Sequence, residues 1–289
     1  MATRLGLIGR GKWGRKIEQT VRALGDVSVT AIGRDEGLRR DIDAVIVAST
    51  SCTHAELAVP YIQAGIATFI EKPMATSMAD ARRIQEAARG SGALVFVGHL
   101  HLYNPAFETV LNVVPTLGAI HYVLCDSANG NPRTDSSVLW DWLPHDLSRG
   151  RAIFHCDPAL VQAWSLTEGE PVQAAVARYQ YGTVSLISTM SWLSPEPRRQ
   201  MTIFAEHGTL VFDDRAAHKV VFHGKNGSTS YPAHESELPL TRELRAFLNL
   251  VRARSTDPSH VALGVAVAAA IEAAEQSIKK DRAVVEFRA

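Results

Sequence analysis

One glycine-rich turn near the start of the chain constrains the fold more than any other feature. The apolar run 4–8 leads into Gly9-Arg10-Gly11-Lys12-Trp13-Gly14, and residues 15–24 then have helical periodicity. This is the pattern G-x-G-x-x-G between a strand and a helix, the setting in which it binds a dinucleotide. We expect Gly9 to make the tight turn, Gly11 to let the backbone approach a pyrophosphate, and Gly14 to let the helix pack on the strand. The predicted cofactor contacts of this turn are Gly9, Arg10, Gly11, Lys12, Trp13 and Gly14.

Short apolar runs alternate with helical segments through the rest of the first hundred residues. The predicted strands are 4–8, 27–32, 42–49, 67–70 and 94–97, and the predicted helices are 15–24, 53–64 and 77–88. The segment 33–41 is too short for a full crossover helix, so we expect a loop or a single turn there. Such alternation predicts an α/β fold with a doubly wound parallel sheet. We therefore assign residues 1–98 to a dinucleotide-binding Rossmann domain.

The pattern changes after Gly98. Predicted helices cover 105–114, 138–154, 240–254 and 259–277, and predicted strands cover 119–125, 160–165, 172–181, 183–190, 201–205, 209–212, 219–222 and 284–287. Turn pairs such as Tyr181-Gly182 and His207-Gly208 separate consecutive runs, as in an antiparallel meander. We predict an α+β domain, residues 99–289, built on a large, mostly antiparallel open sheet and serving substrate binding and oligomerisation.

Composition excludes several classes of partner. Lys plus Arg and Asp plus Glu each total 30, so no overall field attracts nucleic acid or an anionic membrane. The three cysteines are odd in number and widely spaced, which argues against a disulfide framework or a zinc site and favours a reducing, cytoplasmic location. No signal peptide is expected at the N-terminus. The apolar run 261–271 is short for a bilayer, and we predict a buried helix.

The element Glu71-Lys72-Pro73 follows the predicted strand 67–70. Proline disfavours the α conformation in the residue before it, so we expect Lys72 to be extended at the carboxyl edge of the sheet, where open α/β sheets bind ligands. A lysine beside a bound cofactor can polarise a carbonyl or shuttle a hydroxyl proton. The alternative is a solvated Glu–Lys pair before a turn.

Several motifs together resemble one known family. They are the glycine turn, residues 48–56, Glu71-Lys72-Pro73, Val97-Gly98-His99 with residues 103–107, and Asp141-x-x-x-His145. Their order and spacing are similar to those of the glucose-fructose oxidoreductase and inositol dehydrogenase (Gfo/Idh/MocA) family. The resemblance implies a Rossmann domain followed by an open-sheet domain, with chemistry on sugars or cyclitols.

The resemblance also implies that Lys72, Asp141 and His145 meet at the substrate carbon. The residues themselves agree, because side chains four apart on a helix share one face, so Asp141 and His145 can converge on one ligand. Histidine titrates near neutral pH and can take the proton of a secondary alcohol, while Lys72 stabilises the developing alkoxide. The alternative for Asp141 and His145 is a pair on a helix surface.

Further contacts are predicted from the positions and chemistry of the residues, together with the resemblance. Predicted cofactor contacts outside the glycine turn are Gly33, Arg34, Ser49, Thr50, His54, Glu71 and Lys72. Predicted substrate contacts are His99, Tyr103, Trp140 and His145, since aromatic faces suit sugar rings. For His54 a structural contact is an open alternative. No metal site is expected, because no third ligand lies at a suggestive spacing.

The chain departs from the family pattern at the end of the second strand. Where an acidic residue is expected, Gly33 clears the space and Arg34 offers a planar charged fork suited to a phosphate. Asp35 and Glu36 follow, and either reaches the ribose if the segment 33–41 folds back. We predict NADP(H) in preference to NAD(H).

The predicted function is hydride transfer between nicotinamide and a hydroxyl or keto carbon of a sugar, sugar nucleotide or cyclitol. The alternatives are a dinucleotide-binding regulator without turnover and a reductase of a non-sugar carbonyl. Arg149 and Arg151 hint at an acidic or phosphorylated substrate, although a solvated helix end explains them equally. Tyr179, Tyr181, Trp192 and Phe204 suggest exposed aromatic surface, so we expect a homodimer or homotetramer through the C-terminal sheet.

Overall fold

The computed structural model describes residues 2–134 and 136–287; Met1, Asp135, Arg288 and Ala289 lie outside the description. The chain forms two compact units. The first unit combines Met1–Leu100 with Leu238–Ala268, and the second combines His101–Glu237 with Ala269–Ala289. The division therefore differs from the predicted boundary after residue 98, because Leu238–Ala268 joins the first unit.

Both units contain helices. In chain order they are α1 (Lys12–Ala23), α2 (His54–Gln63), α3 (Met78–Ser91), α4 (Pro105–Val113), α5 (Val138–Phe154), α6 (Pro239–Arg252) and α7 (Ser259–Lys279). Short 3-10 turns lie at Ser51–Thr53, Leu100–Tyr103 and Val114–Thr116. No helix forms between Gly33 and Asp41, as expected from the length of that segment.

The first unit is built on a five-stranded parallel sheet with the order β2-β1-β3-β4-β5. Its strands are β1 (Thr3–Ile8), β2 (Val27–Ile32), β3 (Ala44–Val47), β4 (Ala67–Glu71) and β5 (Val95–Gly98). β3 and β5 are buried along their whole length, as parallel strands covered on both faces should be. The strand order reverses between β1 and β3, the point where such sheets bind ligands outside the carboxyl ends of the strands.

Aromatic packing explains why α6 belongs to the first unit. Phe247 of α6 is completely buried, with its ring centroid 5.5 Å from that of Phe69 and 5.6 Å from that of Phe96. Phe69 lies in β4 and Phe96 in β5. An amphipathic helix buries its apolar stripe wherever a matching face is available, and periodicity alone does not name that face.

The second unit is built on a nine-stranded sheet with the order β13-β12-β11-β10-β6-β9-β8-β7-β14. Its strands are β6 (Ile120–Ala128), β7 (Leu160–Ser165), β8 (Ala174–Tyr181), β9 (Val184–Ser191), β10 (Arg198–Ala205), β11 (Gly208–Asp213), β12 (Val220–Gly224), β13 (Thr229–Ser230) and β14 (Val285–Glu286). β6 and β9 pair in parallel, and the other neighbours are antiparallel. The predicted fold class, a Rossmann sheet followed by a large, mostly antiparallel sheet, is confirmed.

Most of the aromatic side chains predicted to form exposed surface are buried. Tyr179, Tyr181 and Trp192 are 0%, 4% and 2% exposed, so they are core residues and not aromatic surface. Side chains alternate between the two faces of a strand, and the opposite face instead carries Tyr122, which is 37% exposed and stacks on Phe204 with centroids 4.4 Å apart.

Helix α7 is longer than the apolar run that predicted it. It extends to Lys279, and the carboxylate of the half-buried Glu275 accepts a hydrogen bond from the Trp140 indole at 2.8 Å. By length and composition α7 could cross a membrane, with a mean hydropathy of 1.5 over its most apolar window, but 67% of that window is buried within the protein. That extent of burial is typical of a core helix.

Candidate functional site

The glycine turn between β1 and α1 has the geometry of an anion-binding site. Gly9 adopts φ +94°, and a Cβ there would overlap the carbonyl of Ala48. A Cβ at Gly14 would overlap the carbonyl of Gly9, so only a glycine at this position lets α1 approach β1 closely. At Gly11, the N-cap of α1, a Cβ would meet nothing within 4 Å, and no side chain caps the helix. The first-turn amides of α1 are therefore open to a phosphate group.

A cavity of about 420 Å³ adjoins this turn. Among the residues that line it are Gly9, Arg10, Gly33, Arg34, Ser49 and Thr50, all predicted as cofactor contacts, together with Glu36. The cavity lies at the carboxyl ends of β1 and β2, and its size suits part of a nucleotide. The lining and the open helix end together fit a dinucleotide.

Glu36 takes the place of the acidic residue missing at the end of β2. The Gly33 backbone N–H donates to Glu36 Oε1 at 2.9 Å, which holds the carboxylate beside the strand end. A Cβ on Gly33 would lie 2.9 Å from the same oxygen, so glycine leaves room for this approach. Arg34 instead turns to Glu56, with Nη2 3.3 Å from Oε2 and both side chains exposed. The segment 33–41 does fold back.

Trp13 and Glu71, both predicted as cofactor contacts, bind one another. The Trp13 indole Nε1 donates to Glu71 Oε1 at 2.6 Å, and the Lys72 backbone N–H donates to Glu71 Oε2 at 3.1 Å. Burial raises the pKa of Glu71, while the hydrogen bond from Trp13 opposes that shift. Lys72 is half-buried and precedes a cis peptide to Pro73. Glu71 thus ties the glycine turn to the backbone of Lys72.

His54 has a structural position. It is 1% exposed, and its ring nitrogens lie 2.9 Å from the Pro73 carbonyl and 3.2 Å from the Ser49 carbonyl. The ring therefore links the segment after β4 to the segment after β3. This matches the structural alternative for His54 and leaves little of the ring for a cofactor.

His99 is a neutral, buried side chain in the first unit. It is 2% exposed, and neither ring nitrogen has a hydrogen-bond partner among the residues that the structure describes. Burial lowers its pKa to about 3, helped by the charges of His260 and Lys72. His99 therefore carries no charge at neutral pH. Tyr103, also predicted to contact substrate, is half-buried at the end of a 3-10 turn of the second unit.

Asp141 and His145 lie one turn apart on α5 in the second unit. Asp141 Oδ2 accepts the Trp192 indole N–H at 3.0 Å, and Arg133 Nη1 lies 3.8 Å from Oδ1. The His145 ring is 4.4 Å from that of His101, measured between centroids, and His145 is 9% exposed. The carboxylate is thus held in place by an indole and a guanidinium, and the imidazole by a second imidazole.

Trp140, which was predicted to contact the substrate, is a buried residue. The residue is 4% exposed, and its indole Nε1 donates to Glu275 of α7. Little of the ring remains for a sugar face. Trp192, Arg133 and Glu275 were not predicted as partners of site residues, because these contacts join segments far apart in the chain that periodicity does not connect.

The two arginines after His145 do not support an acidic substrate. Arg149 is 1% exposed and pairs with Asp146, which also accepts a hydrogen bond from Ser188 at 2.8 Å. Arg151, two residues later, pairs with the partly exposed Asp157. Arg149 is therefore a buried structural charge, and Arg151 lies at the helix end. Within residues 2–134 and 136–287 no group of three His, Cys, Asp or Glu could hold a metal ion.

Comparison with known proteins agrees with these features. Residues 26–99 match the family model GFO_IDH_MocA, described as an oxidoreductase family with an NAD-binding Rossmann fold. The inositol 2-dehydrogenase of Paracoccus denitrificans is 33% identical over 172 residues, which cover 50% of this chain and 51% of that protein. The chain thus spans about half the length of this relative.

Two further comparisons cover more of the chain. The UDP-N-acetylglucosamine 3-dehydrogenase of Acidithiobacillus ferrooxidans is 24% identical over 258 residues, which cover 84% of this chain and 81% of that protein. The crystal structure of GenD2 from gentamicin A biosynthesis, in complex with NAD, covers 100% of this chain and 97% of its own, with a TM-score of 0.84 and 20% identity. At 20% identity, the similarity to GenD2 concerns the fold alone.

Proposed function

We propose that this chain is an oxidoreductase of the Gfo/Idh/MocA type, and that it transfers a hydride between NAD(H) and a CH–OH carbon of a sugar, sugar nucleotide or cyclitol. The observation that carries the proposal is the open amide end of α1 beside the cavity lined by Gly9, Gly33 and Glu36. The substrate class is supported by the names of the relatives, one acting on inositol and one on UDP-N-acetylglucosamine.

Three residues of this chain carry the remaining chemistry in the proposal. Bound nicotinamide supplies the acceptor or donor of the hydride. Lys72 stabilises negative charge on the reacting oxygen, and His145 takes or returns the hydroxyl proton. Asp141, held by Trp192, orients the polar end of the substrate. His99 is neutral and is assigned no proton transfer.

The cofactor in this proposal is NAD(H), whereas Gly33 and Arg34 alone predicted NADP(H). A carboxylate at the end of the second strand accepts hydrogen bonds from ribose hydroxyls and disfavours a 2′-phosphate. Glu36 supplies this group from the loop, and Arg34 is engaged by Glu56. The family description, an NAD-binding Rossmann fold, supports the same choice.

A test of the function uses NAD⁺ with myo-inositol, D-glucose and UDP-N-acetylglucosamine, following nicotinamide reduction. We expect turnover with at least one of these. Lys72→Met and His145→Asn should each lower turnover by roughly 100-fold or more while leaving the Kd for NADH nearly unchanged. His155→Asn, an exposed histidine at the end of α5, is the matched control and should keep wild-type turnover.

The outcomes separate the classes of function. Tight binding of NADH without reduction of NAD⁺ by any polyol tried would favour the non-catalytic dinucleotide-binding protein. Turnover of Lys72→Met within a few-fold of wild type would remove Lys72 from the mechanism. A pH profile of His145→Asn that keeps the wild-type acidic limb would point to a different base.

A further inference from the structure

A second buried imidazole contacts the ring of His145 and has no role in the chemistry proposed above. His101 lies in the 3-10 turn Leu100–Tyr103 and is 6% exposed, whereas His145 is 9% exposed. The two ring centroids are 4.4 Å apart, and the ring planes are inclined at 48°. Rings at this separation pack directly on one another. A titratable side chain in contact with the proposed base can change how that base takes up a proton.

Hydrogen bonds hold the backbone of His101 in place. Its carbonyl accepts the backbone N–H of Asn104 at 3.3 Å. Asn104 is 3% exposed and caps α4, because its Oδ1 accepts the Ala106 N–H at 3.0 Å. The Asn104 Nδ2 also donates to Oδ1 of Asp214 at 2.9 Å. His101 is therefore anchored to the start of α4 and to the turn after β11.

His145 is anchored on α5 in a similar way. Its carbonyl accepts hydrogen bonds from Ser148 Oγ at 3.0 Å and from Arg149 Nε at 3.3 Å. Its ring also lies near that of Trp142, one helical turn earlier, with the centroids 6.2 Å apart. An indole is a hydrogen-bond donor that does not titrate. Of these two neighbouring rings, only that of His101 can gain a positive charge.

The carboxylates around the two imidazoles are already paired with cations. Within the described part of the chain, three of them lie on α5 or beside Asn104. Each has a basic partner: Asp141 has Arg133, Asp146 has Arg149, and Asp214 has Lys219. Because their charges are opposed in this way, these carboxylates do little to stabilise a second positive charge on the imidazoles.

Other cations oppose a second proton. The guanidinium carbon of Arg199 lies 5.7 Å from the Trp142 ring centroid, and its Nη1 is 3.8 Å from Asp214. In the proposed reaction, Lys72 brings a further positive charge to the reacting oxygen. Two buried imidazolium rings 4.4 Å apart would also repel one another strongly, because little water screens them. The two rings should therefore hold one proton between them near neutral pH, not two.

We propose that His101 is a positioning residue for the base: His101 and His145 titrate as a coupled pair, and His145 takes the hydroxyl proton only while His101 is neutral. The consequence for turnover rests on the role proposed above for His145. In that reaction the O–H bond breaks, an N–H bond forms on His145, and the electron pair of the C–H bond leaves with the hydride for NAD⁺. The positive charge then appears on His145, where a charged His101 would oppose it.

Proton NMR of the histidine rings tests the coupling without substrate or cofactor. From about pH 8 to 5, the shift changes of His101 and His145 should add up to one proton. His101→Phe keeps a ring and removes the charge. In this variant His145 should titrate with a lower midpoint, because one site binds a proton less readily than two alternative sites do. His121→Phe, which changes an exposed histidine of β6, is the control and should leave both titrations unchanged.

The titration has clear adverse outcomes. Uptake of two protons by the two rings over this range, or of none, would overturn the inference. A His145 midpoint that does not move in His101→Phe would mean that His101 only packs against His145, and would overturn it as well. If His101→Phe does not fold, His101→Gln, which is also uncharged, takes its place.

The pH profile of turnover separates charge from packing. In His101→Phe the acidic limb should move to lower pH, as the His145 midpoint does, whereas His121→Phe should keep the wild-type limb. His101→Ala also loses the ring contact, so its plateau turnover should fall roughly tenfold in addition. A purely structural role would lower turnover in His101→Ala and leave the limb of His101→Phe in place. If no polyol is turned over, the proposed function fails, and the NMR titration still decides the inference.

Discussion

The backbone N–H of Gly33 donates to Oε1 of Glu36 at 2.9 Å, so a loop carboxylate stands at the end of β2 in the cavity beside the glycine turn. Two features of the sequence make this possible. Gly33 has no Cβ to oppose the approach, and the loop is short enough to turn Glu36, the fourth residue after the strand, back toward it. In the proposed function, the preference for NAD(H) therefore depends on a residue outside the strand.

Changing Glu36 should alter the choice of cofactor. Glu36→Gln removes the charge that disfavours a 2′-phosphate, so the preference for NADH over NADPH should fall by roughly tenfold or more. Asp35→Asn, an exposed acid one residue earlier, is the control and should leave the ratio unchanged. Fluorescence titration with both reduced cofactors at one fixed salt concentration measures the ratio. Tighter binding of NADPH to the wild type, lost in Arg34→Ala, would restore the original prediction.

The two arginines of α5 should differ sharply in their effect on stability. Arg149→Met leaves the carboxylate of Asp146 buried without its cation, which should cost about 3–5 kcal/mol of unfolding free energy. Arg151→Met breaks a partly exposed pair and should cost about 0–1 kcal/mol. Urea denaturation measures both. Equal losses would show that Arg149 is not the buried structural charge described above.

Glu243 should make the stability of the protein depend on pH. Its pKa is raised in the folded state, so the group binds its proton more tightly there than in the unfolded chain. Its stabilising contribution is complete below the unfolded value of 4.5 and is lost as the pH rises toward the folded pKa. The decline in melting temperature from about pH 5 to 8 should therefore be less steep in Glu243→Gln. Parallel curves for the two proteins would contradict this.

The exposed face of the large sheet should mediate self-association. Tyr122 and Leu124 on β6 are each 37% exposed, and Tyr122 stacks on Phe204 of β10. A broad apolar sheet face is commonly covered by a second subunit, so we expect at least a dimer at micromolar concentration. Light scattering should show Leu124→Glu shifted toward the monomer and Leu166→Glu unchanged, since Leu166 is exposed in a turn. A monomeric wild type would refute the proposal.

Local sequence patterns predicted most of the fold. The bounds of β2 and α5, Val27–Ile32 and Val138–Phe154, follow from apolar periodicity that begins and ends sharply. The parallel sheet follows from the strand–turn–helix setting of Gly9 and Gly14, where sterics permit only glycine. In these places the short-range physics of the backbone and the pattern of burial point to the same structure.

Such patterns do not predict which side chains contact one another when they are far apart in the sequence. An arginine near a helix end is normally exposed to solvent. Arg149 is buried instead, and its burial depends on Asp146 and on Ser188 of β9. Trp192 was assigned to the surface, whereas its indole holds Asp141 from a distance of 51 residues. Periodicity specifies which face of an element is apolar and leaves open which polar atoms meet there.

Transfer of an isotope from substrate to cofactor tests the proposed hydride transfer from a polyol carbon to NAD⁺. Myo-inositol and D-glucose deuterated on the CH–OH carbons are incubated separately with the protein and NAD⁺, and the NADH formed is analysed by mass spectrometry. We expect NADH carrying deuterium from at least one of them, formed roughly 100-fold more slowly by Lys72→Met. NADH formed without deuterium from either compound would contradict it.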